Sequence, residues 1–517
     1  MLEEHIHSHG CGCCTSRMGS GLNRREFMAG MGAAAGGLAL GTMVLGNMDF
    51  GEAANYKPIA PQPLKVQPVL TVGLARRREQ TSWRSWGGFH TQDDIEQEKE
   101  RIGRELNQMV EESEFGLEIM PLVTLNSPRE AGRVSQGEHD VLLMYAANSW
   151  VNVLEALTNP EKWTMVFVRH KSGPVYLWYE IIHNRYLRKT VDEFGQAGVD
   201  YQDVVVDKPE ELQGRLRALS GLKNTLGKKM VAVGGAAGWG VGGQKAPEMA
   251  RKIFKMDLQT VDYKELGELI KQARANSGLM SRSRKRAEEY LGQGGTDLHT
   301  GKDFVVNAMV LTEVLERLLQ EAQTDALTIN ECMGTIMPMA ETTACLPLSL
   351  LNDAGYMAFC ESDFVVIPSG VLLHHISNKP VFLNDPTYPH DGVVTLAHCT
   401  APRKMDGMTL SPARILTHFE SDYGAAPKVE MKVGQKLTVI DPDFDFKRWL
   451  GFEGEVIDNP FLDICRSQID VKIKGDGEAL NAATRGFHWM ACYGNYLKEV
   501  GYALKKIGIE WLDLSKV

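Results

Sequence analysis

Residues 356–364 read YMAFCESDF, and FVVIPSGVLL runs on from Phe364. An apolar stretch of strand length, two acids one residue apart, then apolar sequence opening around a proline reads as a buried strand turning into a helix. Glu361 and Asp363 stand at that turn. Moving an ionised carboxylate out of water costs several kcal/mol, so a buried pair needs a cation, a proton or N–H donors beside it.

The same texture extends both ways along the chain. Strand KKMVAVGG (228–235), helix APEMARKIFKMD, helix DFVVNAMVLTEVLERLLQEA (303–322), strand ALTIN (326–330), helix LPLSLLNDAG and strands PVFLND and VVTLAHC alternate as in a parallel sheet. Upstream, strand VLTVGLA (69–75) precedes a helix over 92–113 with Ile95, Ile102, Leu106 and Met109 on one stripe. Strands LEIMPLV, HDVLLMYA and TMVFVRH and helix KPEELQGRLRALSGL follow. Beyond about residue 405 short β-rich runs with Gly and Asp turns lead to a closing helix, GNYLKEVGYALKKIG. The expected fold class is α/β: two doubly wound parallel-sheet domains of Rossmann or flavodoxin type, 69–225 and 226–404, then a β-rich, barrel-like carboxyl domain, 405–517.

Ahead of these lies an address and a spacer. NRREFMAGMGAAAGGLALGTMVLG pairs Arg24 and Arg25 with Phe27 and a weakly apolar, Gly-rich stretch, and GEA (51–53) offers a small-residue cleavage site. Residues 1–54 therefore resemble a twin-arginine export signal, which implies a folded, metal-loaded protein delivered to the periplasm or another extracytoplasmic space. So Gly-rich a segment makes a poor permanent span, and no comparable apolar run follows Phe50, so no membrane contact is expected after cleavage. NYKPIAPQPLKVQP (55–68) reads as an extended, Pro-rich linker. The net charge of −10 argues against a nucleic-acid partner, and the basic run SRSRKR (281–286) reads as a solvated helix face. Cys11, Cys13 and Cys14 would leave with the signal. The other six of nine cysteines lack paired spacing and read as buried thiols.

Ligands of an open parallel sheet bind beyond the carboxyl ends of its strands. Glu331 follows ALTIN, Glu361 and Asp363 follow YMAFC, Asp385 ends PVFLND and His398 ends VVTLAHC. Carboxylates with one or two imidazoles suit a hard or borderline divalent ion, whose charge would relieve the repulsion among the acids. The plainer alternative is that each acid caps the helix that follows it.

TINECMG, then CLPLSLLNDAGYMAFCESDFVVIPSGVLLHHISNKPVFLND with LAHC, then TRGFHWMACYGNYLKEVGYALKKIGIEW resembles the L-fucose and L-arabinose isomerase superfamily across most of 69–517. The resemblance implies a Mn2+-dependent (or other divalent-metal) aldose–ketose isomerase that works through an ene-diol, with a small sugar as partner and a homo-oligomer, hexamer or trimer, as assembly. It makes Glu331 metal ligand and acid/base. Glu361 or Asp363 becomes the second carboxylate, with ligand and proton carrier not distinguished between them. His488 becomes the carboxyl-terminal ligand and His398 an additional one. Asp385 is left a capping or supporting role, and Trp489 beside His488 an apolar wall for the sugar. Two other functions compete. Gly238, Gly240 and Gly243 have the spacing of a dinucleotide loop, with Asp257 or Asp262 as ribose acid, which would make an exported nicotinamide-dependent sugar oxidoreductase. A non-catalytic sugar-binding protein on the same fold is the other.

Overall fold

The computed structural model describes residues 41–42, 48, 50–51, 57–189 and 195–516. Arg24, Arg25, Phe27 and the three early cysteines, and with them the export-signal reading, lie outside the described residues. Among the described residues no helix is long and apolar enough to cross a membrane. The chain forms two compact units, Pro61–Lys223 and Asn224–Val517 with Met1–Ala60.

In the first unit, Leu64–Thr71 lies at the heart of a parallel sheet. Leu117–Ile119 and Val123–Leu125 pair successively along one side of it. Val141–Ala146, Trp163–Val168 and Val204–Val206 extend the other side. Helix Gln92–Glu111 starts at a Thr91 capping box and buries Ile95, Glu98, Ile102, Leu106 and Met109. The strand begins at Leu64, inside the stretch that sequence marks as a linker. Pro68 is tolerated there because one flanking strand stops at Val66 and the next starts at Val69, so no ladder bond on that side is lost to its missing N–H.

The second unit holds a parallel sheet and a barrel. Lys229–Val233 pairs with Asp257–Val261 on one side and Ala326–Ile329 on the other, with Met357–Cys360 next. Gly41–Thr42 adds a short parallel strand outside Asp257–Val261. A closed six-strand antiparallel barrel runs Lys436–Pro442, Trp489–Tyr493, Phe382–Pro386, Val393–His398, Ser467–Ile473 and Arg448–Asp458, whose last strand pairs back onto the first. The sequence pattern carries PVFLND and VVTLAHC on as strands of the parallel sheet. They are barrel staves instead, because a short apolar run between turns satisfies either neighbourhood.

Helix Lys302–Ala322 binds these layers together. Val305, Val306, Ala308 and Met309 enter the barrel-side core, while Val310, Leu311, Val314, Leu315, Leu318 and Leu319 enter the sheet core. A helix buried on nearly all faces fixes the carboxyl edge of the sheet against the barrel wall.

Candidate metal centre

The turn after Met357–Cys360 is made of strained backbone. Glu361 and Ser362 both adopt left-handed conformations, φ 65° and 49°, which non-glycine residues hold at a cost of order 1–3 kcal/mol each. Neighbours clamp it. Ser362 N donates to Thr328 Oγ1 at 3.1 Å, and Ala237 N donates to Ser362 O at 3.2 Å. Phe364 N donates in turn to Ala237 O at 3.0 Å. Asp363, 1% exposed, accepts from Trp239 N at 3.0 Å and Val365 N at 3.1 Å on Oδ1, and faces His488 Nδ1 at 2.7 Å with Oδ2. Both of its oxygens are committed, so it stands behind the His488 ring rather than among the atoms in front of it.

His488 is aimed from the barrel. Asp441 accepts from Arg485 N at 2.9 Å and Gly486 N at 2.8 Å, fixing the turn just before the histidine. Gly486 is required for that approach, since a Cβ there would sit 2.4 Å from Asp441 Oδ1. Burial pushes the Asp441 carboxyl up to about 7 against the pull of those donors. His488 Nε2 then lies 3.3 Å from Glu361 Oε2 and 3.2 Å from Asp385 Oδ1, hydrogen-bonded to neither. His398 turns Nδ1 to Thr400 Oγ1 at 2.9 Å and leaves Nε2 3.8 Å from Glu361 Oε1, also without a hydrogen bond. Asp385 Oδ1 is a third buried atom without a hydrogen bond.

Buried polar atoms are nearly always satisfied, and here three without hydrogen bonds come from two barrel strands and the turn before a third. Asp385, His398 and His488 each offer a ligand atom within 4.8 Å of the others. A divalent cation fits this set: it would satisfy both ring nitrogens and the carboxylate oxygen, with Glu361 alongside, while Asp363 fixes the His488 ring from behind. The electrostatics show that the carboxylates draw positive charge to this point, and a metal ion would take the place of the ring protons they favour. Burial would lower the His488 and His398 pKa values, yet the carboxylates around them, Glu361 foremost, raise both, that of His488 well above its usual value. Burial in turn pushes the Asp385 carboxyl up.

The structure thus brings together Glu361, Asp363, His398, His488 and Asp385. Glu331 occupies the end of the adjacent strand in a left-handed conformation, φ 44°, but is exposed and belongs to neither candidate ligand group among the described residues. Trp489 does not line the site: it is 0% exposed in the barrel core, because successive residues on a strand face opposite sides. The exposed aromatic beside the site is Trp239, 37% exposed, stacked on Phe487 at 4.0 Å and 9°. Phe487 in turn meets the His488 ring edge-on at 4.7 Å. Nothing in the glycine spacing singles out Trp239; the hint was a large aromatic isolated among glycines at a strand end. Those glycines serve the loop itself, since a Cβ on Gly238 would sit 2.0 Å from Gly243 O. Asp262 accepts from Glu265 N at 2.8 Å and caps a helix. Compared with known proteins, no family model matches the chain, and no curated protein is significantly similar to it.

Proposed function

We propose that the protein is a metal-dependent aldose–ketose isomerase that takes an open-chain sugar at the carboxyl edge of the second unit's parallel sheet. The observation that carries this reading is the convergence of His398 Nε2, His488 Nε2 and Asp385 Oδ1, buried and without hydrogen bonds, on one side of Glu361. The strand order supports it as well. Leu64–Thr71 lies between Leu117–Ile119 with Val123–Leu125 on one side and Val141–Ala146 on the other, and Lys229–Val233 lies between Asp257–Val261 and Ala326–Ile329, a two-way winding from a central strand as in doubly wound folds.

Asp385, His398, His488 and Glu361 would hold Mn2+ or another divalent ion, which would supply positive charge to polarise a carbonyl and steady negative charge on it. The chain's own groups do the rest. Asp363 Oδ2 holds the Nδ1 proton of His488 and so keeps Nε2 turned to the pocket. The Trp239–Phe487 face receives the apolar side of the sugar. Glu331, exposed at the neighbouring strand end, takes the proton from the carbon beside the carbonyl and returns it to the former carbonyl carbon, while the hydroxyl proton on that neighbouring carbon passes to the former carbonyl oxygen. The Arg24–Arg25 motif supports action outside the cytoplasm, and the superfamily resemblance supports a homo-oligomer.

Elemental analysis of the purified protein, with a screen of aldoses for ketose formation before and after chelation, tests the reading. A bound divalent ion and isomerisation that stops on chelation and returns on adding Mn2+ are expected. Full activity in metal-free protein, or a bound nicotinamide absorbance with no isomerisation, would overturn it.

A further inference from the structure

Cys360 ends strand Met357–Cys360, is buried, and directly precedes Glu361. Its Sγ, an oxygen of Glu361 and a ring nitrogen of His398 lie within 4.8 Å of one another. Asp385, His398 and His488 meet the same limit as a second triad. The triads share His398 and differ in chemistry: one offers sulfur, oxygen and nitrogen, the other oxygen and two nitrogens. His398 Nδ1 is engaged with Thr400, which leaves Nε2, in a residue only 3% exposed, as the one ring nitrogen without a hydrogen bond. One nitrogen lone pair serves one ion. The triads are therefore alternative positions for a single ion rather than two sites filled together. Glu361 spans both, with Oε1 3.8 Å from His398 Nε2 and Oε2 3.3 Å from His488 Nε2.

We propose, resting on the metal-centre reading above, that Cys360 is a metal ligand and sorts ions by softness. Zn2+, Co2+ and Fe2+ are held by Cys360, Glu361 and His398, whereas Mn2+ and Mg2+ are held by Asp385, His398 and His488 with Glu361 alongside. Thiolate favours the borderline ions, and carboxylate with water favours the hard ones. Ligation breaks the Cys360 S–H bond, forms a metal–sulfur bond and releases one proton to solvent, and no electron is transferred. The centre thus admits two classes of metal without exchanging its histidine.

The full-length protein, stripped with chelator, is titrated anaerobically with Co2+. A thiolate-to-cobalt charge-transfer absorption is expected in the native protein. It should vanish in Cys360→Ser and persist in Cys332→Ser, which alters the neighbouring thiol hydrogen-bonded to Cys360. It should also persist in Asp385→Asn, which keeps all three residues of the sulfur triad. Zn2+ affinity should fall at least about tenfold in Cys360→Ser, with Mn2+ affinity within about twofold of native. Cobalt bound by the native protein without that absorption, an absorption that survives Cys360→Ser, or its loss in Asp385→Asn would overturn the inference alone. No cobalt binding at all would overturn the metal-centre reading and this inference with it.

Discussion

Strand Trp163–Val168 of the first unit runs into Arg169, and strand Met357–Cys360 of the second runs into Glu361. Both edges bury charge. Arg169, 0% exposed, donates from Nε to Glu98 at 2.5 Å and from Nη2 and Nη1 to Glu105 at 2.7 and 3.1 Å, and Tyr176 Oη adds a bond to Glu98 at 2.6 Å. Asp207, at the end of Val204–Val206, accepts from the backbone N–H groups of His170, Lys171 and Ser172 and from Ser172 Oγ. At the second edge two imidazole nitrogens and a carboxylate oxygen, all buried, make no hydrogen bond. An ionisable residue at a strand end is therefore no sign of a site by itself. A closed network is architecture; a buried set left open toward one point asks for a ligand.

The largest effect should come from opening the closed network. Arg169→Met takes from Glu98, also fully buried, its one fully buried counter-charge and leaves only the partly exposed Arg101, and should cost about 3–5 kcal/mol in chemical denaturation. A shift below about 1 kcal/mol would mean the first edge is no more committed than the second.

Asp385→Asn probes the other side. The substitution ends the cost of burying this carboxylate and its repulsion against Glu361 but also removes its attraction to His488 and His398, so the opposing effects should leave the metal-free protein within about 1–2 kcal/mol of native. Affinity for Mn2+ should fall at least about tenfold, with isomerisation falling alongside. A large stability loss in the metal-free variant would make Asp385 a structural residue and dissolve the contrast between the edges.

A smaller effect is expected from Asp207→Asn, and it has a pH signature. Partial burial pushes the Asp207 carboxyl up, but bonds from Ser172, His170 and Lys171 outweigh it and hold the group well below the usual carboxylate range. A depressed folded pKa stabilises above the unfolded value, near about 3.9, and that contribution fades as pH falls through the folded value. The variant should be less stable than native at neutral pH, with the gap closing in acid. A constant gap across the range would assign the effect to shape rather than charge.

The same contrast explains what could be read in advance. Buried strands and the stripe on Gln92–Glu111 follow from apolar spacing, which one residue's neighbours suffice to reveal. Pro68 disguised the start of Leu64–Thr71 because its acceptance depends on where a partner strand breaks, which lies more than 50 residues away. Asp385 and His398 were set on the wrong scaffold, since a barrel stave and a buried parallel strand share one sequence texture. Trp489 could have been excluded: if His488 faces the pocket, period two turns its neighbour away. The division of labour between Glu361 and Asp363 was not legible, because it rests on Trp239 N and His488 Nδ1 reaching Asp363 from 124 and 125 residues away.

The smallest change tests the proposed sugar-receiving aromatic face. Trp239 is anchored by its backbone, whose N–H meets Asp363, while its ring lies on Phe487 and stays 37% exposed. Trp239→Ala keeps the backbone bond and removes only the ring, so the metal centre should load as before. Losing one stacking surface of this kind is worth about 0.5–1.5 kcal/mol, or a few-fold to about tenfold in KM, with kcat little changed. If kcat fell while KM held, the ring would be shaping the reacting geometry rather than receiving the sugar. If metal affinity fell instead, the glycine loop around Gly238 would belong to the closed kind of edge after all, bracing Asp363 through the ring as well as through the backbone.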